Sequence, residues 1–225
     1  MLVLASLALA APPLPMLQSE GSAVAVGAVA RVDSDALVDP GCGGPACEAL
    51  RDRSNLGAFA QGQLYPWLGG YAVVSAEHSV TEAAYYADDG IALDGGLVSA
   101  LFPARPNGAL VWVHGTLAGA GQAGATRSAR AQLEAGGAWR TGDPGGGLFG
   151  YLGGNVLILG NDEINILGGE VEIPLAPALP AEVVGGVVVT SEPLGSFNSR
   201  SRLFLAVDGR VGARSGVGLA LGLSL

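Results

Sequence analysis

Two histidines, a spaced pair of glutamates and a short acidic stretch are the groups of this 225-residue chain whose types could do chemistry. His78 stands between Glu77 and Ser79, the residue types of a hydrolytic site. Neighbours on a strand point to opposite faces, so His78 and Ser79 cannot meet by local geometry, and a polar residue near a strand end is the expectation. His114, in ALVWVHGTL, shares parity with Trp112 and Thr116 and opposes Val111, Val113 and Leu117. That parity puts it on an interior face, hydrogen-bonded to an acid such as Glu134 or Asp94, in a structural role. Glu170 and Glu172 share one strand face at roughly 7 Å. A glycosidase pair usually comes from two elements across a cleft. Pairing with Arg130, Arg140, Arg202 or Arg210 is expected instead, because an unpaired buried charge is costly. Asp88, Asp89 and Asp94 match no calcium-loop spacing and read as a solvated acidic loop. The GDPGGG piece at 142–147 lacks the Lys and Ser/Thr of a phosphate loop. The sequence therefore predicts no catalytic, cofactor-binding or metal-binding residue and no enzymatic activity.

The elements that must position these groups are strands. Stretches of about 10 residues with period-two character recur between turn-rich segments, the pattern of an all-β fold. In the clearest, 217–225, Val217, Leu219, Leu221, Leu223 and Leu225 fall on one face, opposite Gly218, Ala220, Gly222 and Ser224. In 202–211, Leu203, Leu205, Val207 and Val211 oppose Arg202, Asp208 and Arg210. In 130–140, Arg130, Gln132, Glu134 and Arg140 oppose Ala131, Leu133, Ala135 and Trp139. In 56–65, Gln61 and Gln63 oppose Leu56, Ala58, Ala60 and Leu64. The remaining candidates are 23–32, 68–80, 91–102, 109–119, 148–160, 164–175 and 182–191. Connections at 65–67, 103–108 and 176–181 are short and Pro-rich, whereas 38–54 and 81–90 are longer and acidic.

Composition says what these strands face. Hydrophobic residues make up 49% and charged residues only 14%, against roughly 25% charged in a soluble domain, so too few charges exist to coat a water-facing surface. Beyond the N-terminus no run of about 18 apolar residues occurs, which argues against membrane helices. Alternating lipid-facing and interior residues reconcile the two. The formal net charge of −9 excludes nucleic acid as a partner, since phosphate neutralisation dominates that affinity. Residues 1–10, MLVLASLALA, end in a small-x-small pattern and read as a signal peptide, although no basic residue precedes the apolar run. Residues 11–225 then form one domain. An exported chain meets an oxidising compartment, where Cys42 and Cys47 can close a small disulfide ring in an exposed loop.

A signal peptide, alternating strands, short and long connections and a terminal aliphatic strand together resemble bacterial outer-membrane β-barrel proteins. The resemblance spans the mature chain and is one of pattern. It implies an antiparallel up-and-down transmembrane barrel of about ten strands, with eight or twelve as alternatives, in a lipid bilayer. Tyr65, Trp67, Tyr71, Phe102 and Trp112 would supply interfacial girdles. Two features depart from the pattern: the chain ends in Leu225 rather than an aromatic residue, and aromatics are only 6%. Leu219, Leu221 and Leu223 would face lipid. Arg130, Glu134, Arg140, Glu170, Glu172, Arg202, Asp208 and Arg210 would form an interior charged network with His114 nearby. The expected role is structural, surface-exposed or narrow-pore, with no cofactor, small solutes or surface ligands as possible partners, and the outer membrane as location. Alternatives are a secreted or periplasmic β-sandwich binding module and an envelope hydrolase on a barrel scaffold, the latter because of His78 and His114. Thiol labelling of denatured, unreduced protein is expected to find no free Cys42 or Cys47; two labelled thiols would remove the disulfide.

Overall fold

The structure, a computed structural model, describes residues 24–38, 48–65, 68–81, 86–100, 109–123, 126–141, 147–166, 171–177, 181–191, 194, 201–212 and 214–225. The signal segment and both cysteines lie outside them. Among the described residues eleven strands follow one another: β1 (Val24–Val38), β2 (Glu48–Tyr65), β3 (Leu68–Thr81), β4 (Tyr86–Ala100), β5 (Ala109–Ala123), β6 (Thr126–Thr141), β7 (Gly147–Ile166), β8 (Val171–Pro177), β9 (Ala181–Thr190), β10 (Arg202–Gly212) and β11 (Arg214–Ser224). Antiparallel pairing runs from β1 through β7 to β9, β10 and β11. Strand β11 then pairs with β1 from Ala25–Ser224 to Asp35–Arg214, so the sheet closes on itself.

Strands β8 and β9 lie along the same edge of β7 in one register. Val171 faces Ile166 and Leu175 faces Asp162, while Ala181 faces Val156 and Thr190 faces Gly147. They occupy one strand position beside β7, so among the described residues the ring contains ten such positions. Of the Pro-rich piece 176–181, expected as a turn between strands, Ala176 and Pro177 belong to β8 and Ala181 to β9, and residues 178–180 lie outside the described residues. The division expected between 148–160 and 164–175 is also corrected. Asn161, Asp162 and Glu163 continue β7 and pair with Ala129, Ser128 and Arg127. Their polarity reflects height on the wall rather than a turn. Residues 48–53 and 86–90, assigned by sequence to long connections, extend β2 and β4 in the same way.

The β10–β11 hairpin is short. Gly212 carries φ 139°, a conformation that favours glycine. Above the hairpin, Leu37 and Val38 of β1 pair directly with Pro177 and Ala176 of β8. The wall thus has all ten strands along its lower part and only β1 to β8 above.

Burial alternates along the strands for which it is described, and its sense is inverted relative to a soluble protein. On β10, Phe204, Ala206, Asp208 and Arg210 are buried, while Leu203, Leu205, Val207 and Val211 are exposed. On β11, Leu219 and Leu221 are exposed, Leu223 is half-buried, and Gly218, Ala220, Gly222 and Ser224 point inward. The outer belt also carries Val26, Leu56, Leu64, Val74, Leu93, Leu152, Val183 and Val187. Tyr65 and Trp139 stand outward at the lower rim, whereas Tyr71, expected in a girdle, is buried inside.

The closing seam has its own packing. One row reads Phe59, Gly27, Gly222, Phe204 across β2, β1, β11 and β10. The two phenylalanine rings lie 6.0 Å apart, tilted by 50°. A Cβ on Gly222 would sit 2.5 Å from the Phe204 ring, and one on Gly27 2.7 Å from the Phe59 ring. Aromatic rings laid over glycines thus fill the lumen at the seam. Leu221→Arg, at mid-belt on the outer face, is expected to lower stability in liposomes by about 2–4 kcal/mol. Gly222→Val should fail differently: charge plays no part, and ring displacement should prevent closure, read as loss of the compact band on an unboiled gel.

Candidate functional site in the barrel interior

The inner faces of the strands whose side chains are described bring large or charged groups into the lumen. Strand β11 makes this possible by offering mostly small inward groups. Arg31 on β1 and Asp208 on β10 both lie opposite Gly218. With no side chain between them, Arg31 Nη1 comes within 3.5 Å of Asp208 Oδ2, while its Nε lies 2.6 Å from Asp33 Oδ2. One level higher, Asp33 and Arg210 both lie opposite Gly216. Arg210 Nη1 there donates to Glu182 Oε2 at 3.0 Å. The amide of Asn155 on β7 donates to the same Glu182 oxygen at 3.2 Å. All of these side chains are buried. On the opposite wall, the Tyr71 hydroxyl donates to Asp94 Oδ1 at 3.5 Å.

Alongside the charged layer lies an apolar and aromatic cluster in which Phe59, Phe149, Phe204, Tyr151, Val184 and Val188 are buried together. Charge inside a closed ring is tolerable only when paired at close range, because removal from water is costly. The glycine rows supply that range. Among the described residues no group of three or more His, Cys, Asp or Glu converges as a metal site.

Of the residues that the sequence assigned to an interior network, Glu134, Asp208 and Arg210 are buried on the inner face. Arg202 is half-buried at the lower rim. The side chains of Arg130, Arg140, Glu170, Glu172 and His114 lie outside the described residues. The β5–β6 register does place His114 opposite Glu134. The acidic stretch is not one cluster: Asp94 points inward to Tyr71, whereas Asp89 points outward. They are five residues apart on a single strand, and odd spacing sends them to opposite faces. Asp89 accepts from His78 Nδ1 at 2.8 Å, on the outer face.

Sequence reasoning missed Arg31, Asp33, Asn155 and Glu182. The signal was present, since Ala25, Gly27, Val29, Arg31 and Asp33 share parity against Val24, Val26 and Val32. The 23–32 segment includes Arg31 but stops short of Asp33, while Asn155 and Glu182 lie within 148–160 and 182–191, segments whose faces stay unassigned by sequence.

A closed antiparallel ring, aliphatic outside and charged within, defines the class: a transmembrane β-barrel. In hydrocarbon every backbone group must be satisfied within the protein, and closure removes the open edges. A β-sandwich would turn its aliphatic faces toward a second sheet, and here they point away from the only sheet described. No protein-family model matches the chain, and no curated protein matches it. Among solved structures it is similar to the transport unit of the autotransporter AIDA-I from Escherichia coli, with 11% identity over 91% of this chain and 90% of that one, at a TM-score of 0.44. It is also similar to the translocator domain of autotransporter NalP from Neisseria meningitidis, with 11% identity over 93% and 90%, at a TM-score of 0.38. These likenesses are distant, and the class rests on the chain's own geometry.

Arg31→Met leaves Asp33 and Asp208 buried without their shared cation and is expected to cost about 3–5 kcal/mol. Urea titration of the refolded barrel measures the loss. A second substitution, Asp208→Leu, should recover part of it, and simple additivity would show that the pair does not interact.

Proposed function

We propose that this protein is a bacterial outer-membrane β-barrel whose wall is its product and whose lumen is closed to bulk solute: a structural, surface-exposed or narrow-pore component of the envelope. The observation that carries the reading is the combination of an aliphatic outer belt with a lumen packed by Phe59, Phe204 and the Arg31–Asp208 and Arg210–Glu182 pairs. Closed single-chain barrels of bacterial outer membranes use an even number of antiparallel strands, and ten meets that rule. A ring of this size leaves an interior that side chains largely occupy, so a wide channel is not expected.

Two measurements test this. Cysteines introduced singly from Gly218 to Leu223 and tagged with a lipid-quenched fluorophore should report lipid at Leu219, Leu221 and Leu223 but not at Gly218, Ala220 and Gly222; absence of any quenched position would defeat the membrane reading. In planar bilayers the wild-type barrel should lack the large, stable conductance steps of a wide porin. Substituting Arg31 and Asp208 together by Ala should open or enlarge small ones.

A further inference from the structure

We propose that the outer face of the barrel carries a serine-hydrolase site, Ser54–His78–Asp89, that cleaves the ester-linked acyl chains of membrane lipids. The three residues stand side by side on β2, β3 and β4: Ser54 lies directly opposite His78, and His78 directly opposite Asp89. Directly opposed positions in an antiparallel pair bring Cβ atoms to about 4.5–5.5 Å, close enough for a serine hydroxyl to meet an imidazole. All three are on the exposed, outward face. His78 Nδ1 lies 2.8 Å from Asp89 Oδ1. Donation from Nδ1–H to that carboxylate fixes the tautomer and leaves Nε2 as the proton acceptor, the arrangement by which an Asp–His pair activates a serine. Ser79, the sequence neighbour of His78, is buried on the inner face. The partner serine comes from the adjacent strand instead.

The height of the row on the wall selects the substrate. Immediately below it, the outward positions are Ala30, Leu56, Ala76 and Ile91, and the next row down is Ala28, Ala58, Val74 and Leu93. Residues 56–64, 68–76 and 91–99 each match the roughly 9–11 residues with which a tilted strand crosses the hydrocarbon. Ser54, His78 and Asp89 are the first outward residues beyond that span, at the level where the esters of bilayer lipids lie. A cavity of about 470 Å³ opens there, lined among others by Val32, Ser54, Leu56, Ala76, His78 and Asp89. Ala76 sits between Leu56, which is 67% exposed, and Ile91, which is 63% exposed. That notch below the histidine would seat an acyl chain whose ester reaches Ser54.

In the reaction, Ser54 Oγ attacks the ester carbonyl carbon while His78 Nε2 takes its proton. The carbon–oxygen bond to the lipid alcohol breaks, and the alcohol leaves with that proton, giving an acyl-serine and a lysolipid. Water, deprotonated by Nε2, then releases the fatty acid and restores Ser54. Asp89 is a positioning residue that acts through His78. The inference uses the membrane placement proposed above, and the test separates the two. The full chain is refolded in detergent, its folding is checked by migration before and after boiling, and it is then treated with a fluorophosphonate and with a phospholipid bearing a fluorogenic acyl chain in mixed micelles. Folded wild type should be labelled at Ser54 and turn over the lipid. Ser54→Ala and His78→Ala should lose turnover on the order of a thousandfold, and Ser79→Ala should retain it. Asp89→Asn should slow labelling, and Asp89→Glu should restore part of the rate, a rescue that a purely structural role would not give. Folded wild type without label at Ser54, or turnover that survives Ser54→Ala, overturns the proposal while leaving the barrel reading intact. A chain that never gives the folded band overturns the barrel reading instead.

Discussion

The pairing of β1 with β11 holds the rest of the structure in place. An open sheet of this composition would present two unsatisfied edges, and in hydrocarbon each unpaired N–H or carbonyl costs several kcal/mol. Closure removes both edges and creates an interior from faces that would otherwise be one side of a flat sheet. The charged layer depends on that curvature. Arg31 and Asp208 belong to strands that flank β11 on either side, and they meet only because the ring bends them toward each other across Gly218. A planar sheet would hold them two strand spacings apart, roughly 9–10 Å.

The inner and outer faces therefore follow different rules on the same strands. Inside, glycine and alanine on β11 make room, and the volume is returned as Phe and Arg from β1, β2 and β10. Outside, uniform aliphatic character matters more than fit, since lipid adapts to the surface. A polar side chain on the outer face is then informative in a way that it would not be on a soluble protein. Ser54, His78 and Asp89 stand in register at the upper edge of a belt where Val, Leu, Ile and Ala are the rule.

Much of this was legible in the sequence wherever the two faces of a strand differ sharply. Segments 202–211 and 217–225 assigned Leu205, Leu221 and Asp208 to the faces on which they stand, because period-two parity needs no tertiary information. Legibility failed for two physical reasons. Polar composition marks both a turn and a strand that has risen out of the apolar belt, so by sequence 161–163 in β7 and 86–90 in β4 read as connections. Cross-strand partners depend on register, which the turns between strands fix and parity does not. Arg31 with Asp208, and Ser54 with His78, are such partners. Tyr71 was misplaced because closeness to a strand end says nothing about face; its parity with Val73 and Ser75, both buried, carried the answer.

The small inner face of β11 also bears on the order of assembly. The contacts between β1 and β11 span nearly the whole chain, and loop closure over such a separation is the slowest pairing for a sheet to make. If it forms last, it closes over a lumen that already holds the side chains of the other strands. A final strand with large inward residues would have to thread each one through that occupied space. Gly216, Gly218, Ala220, Gly222 and Ser224 give β11 an inner face with little to thread, and Phe59, Arg31 and Phe204 lie over it in the closed ring.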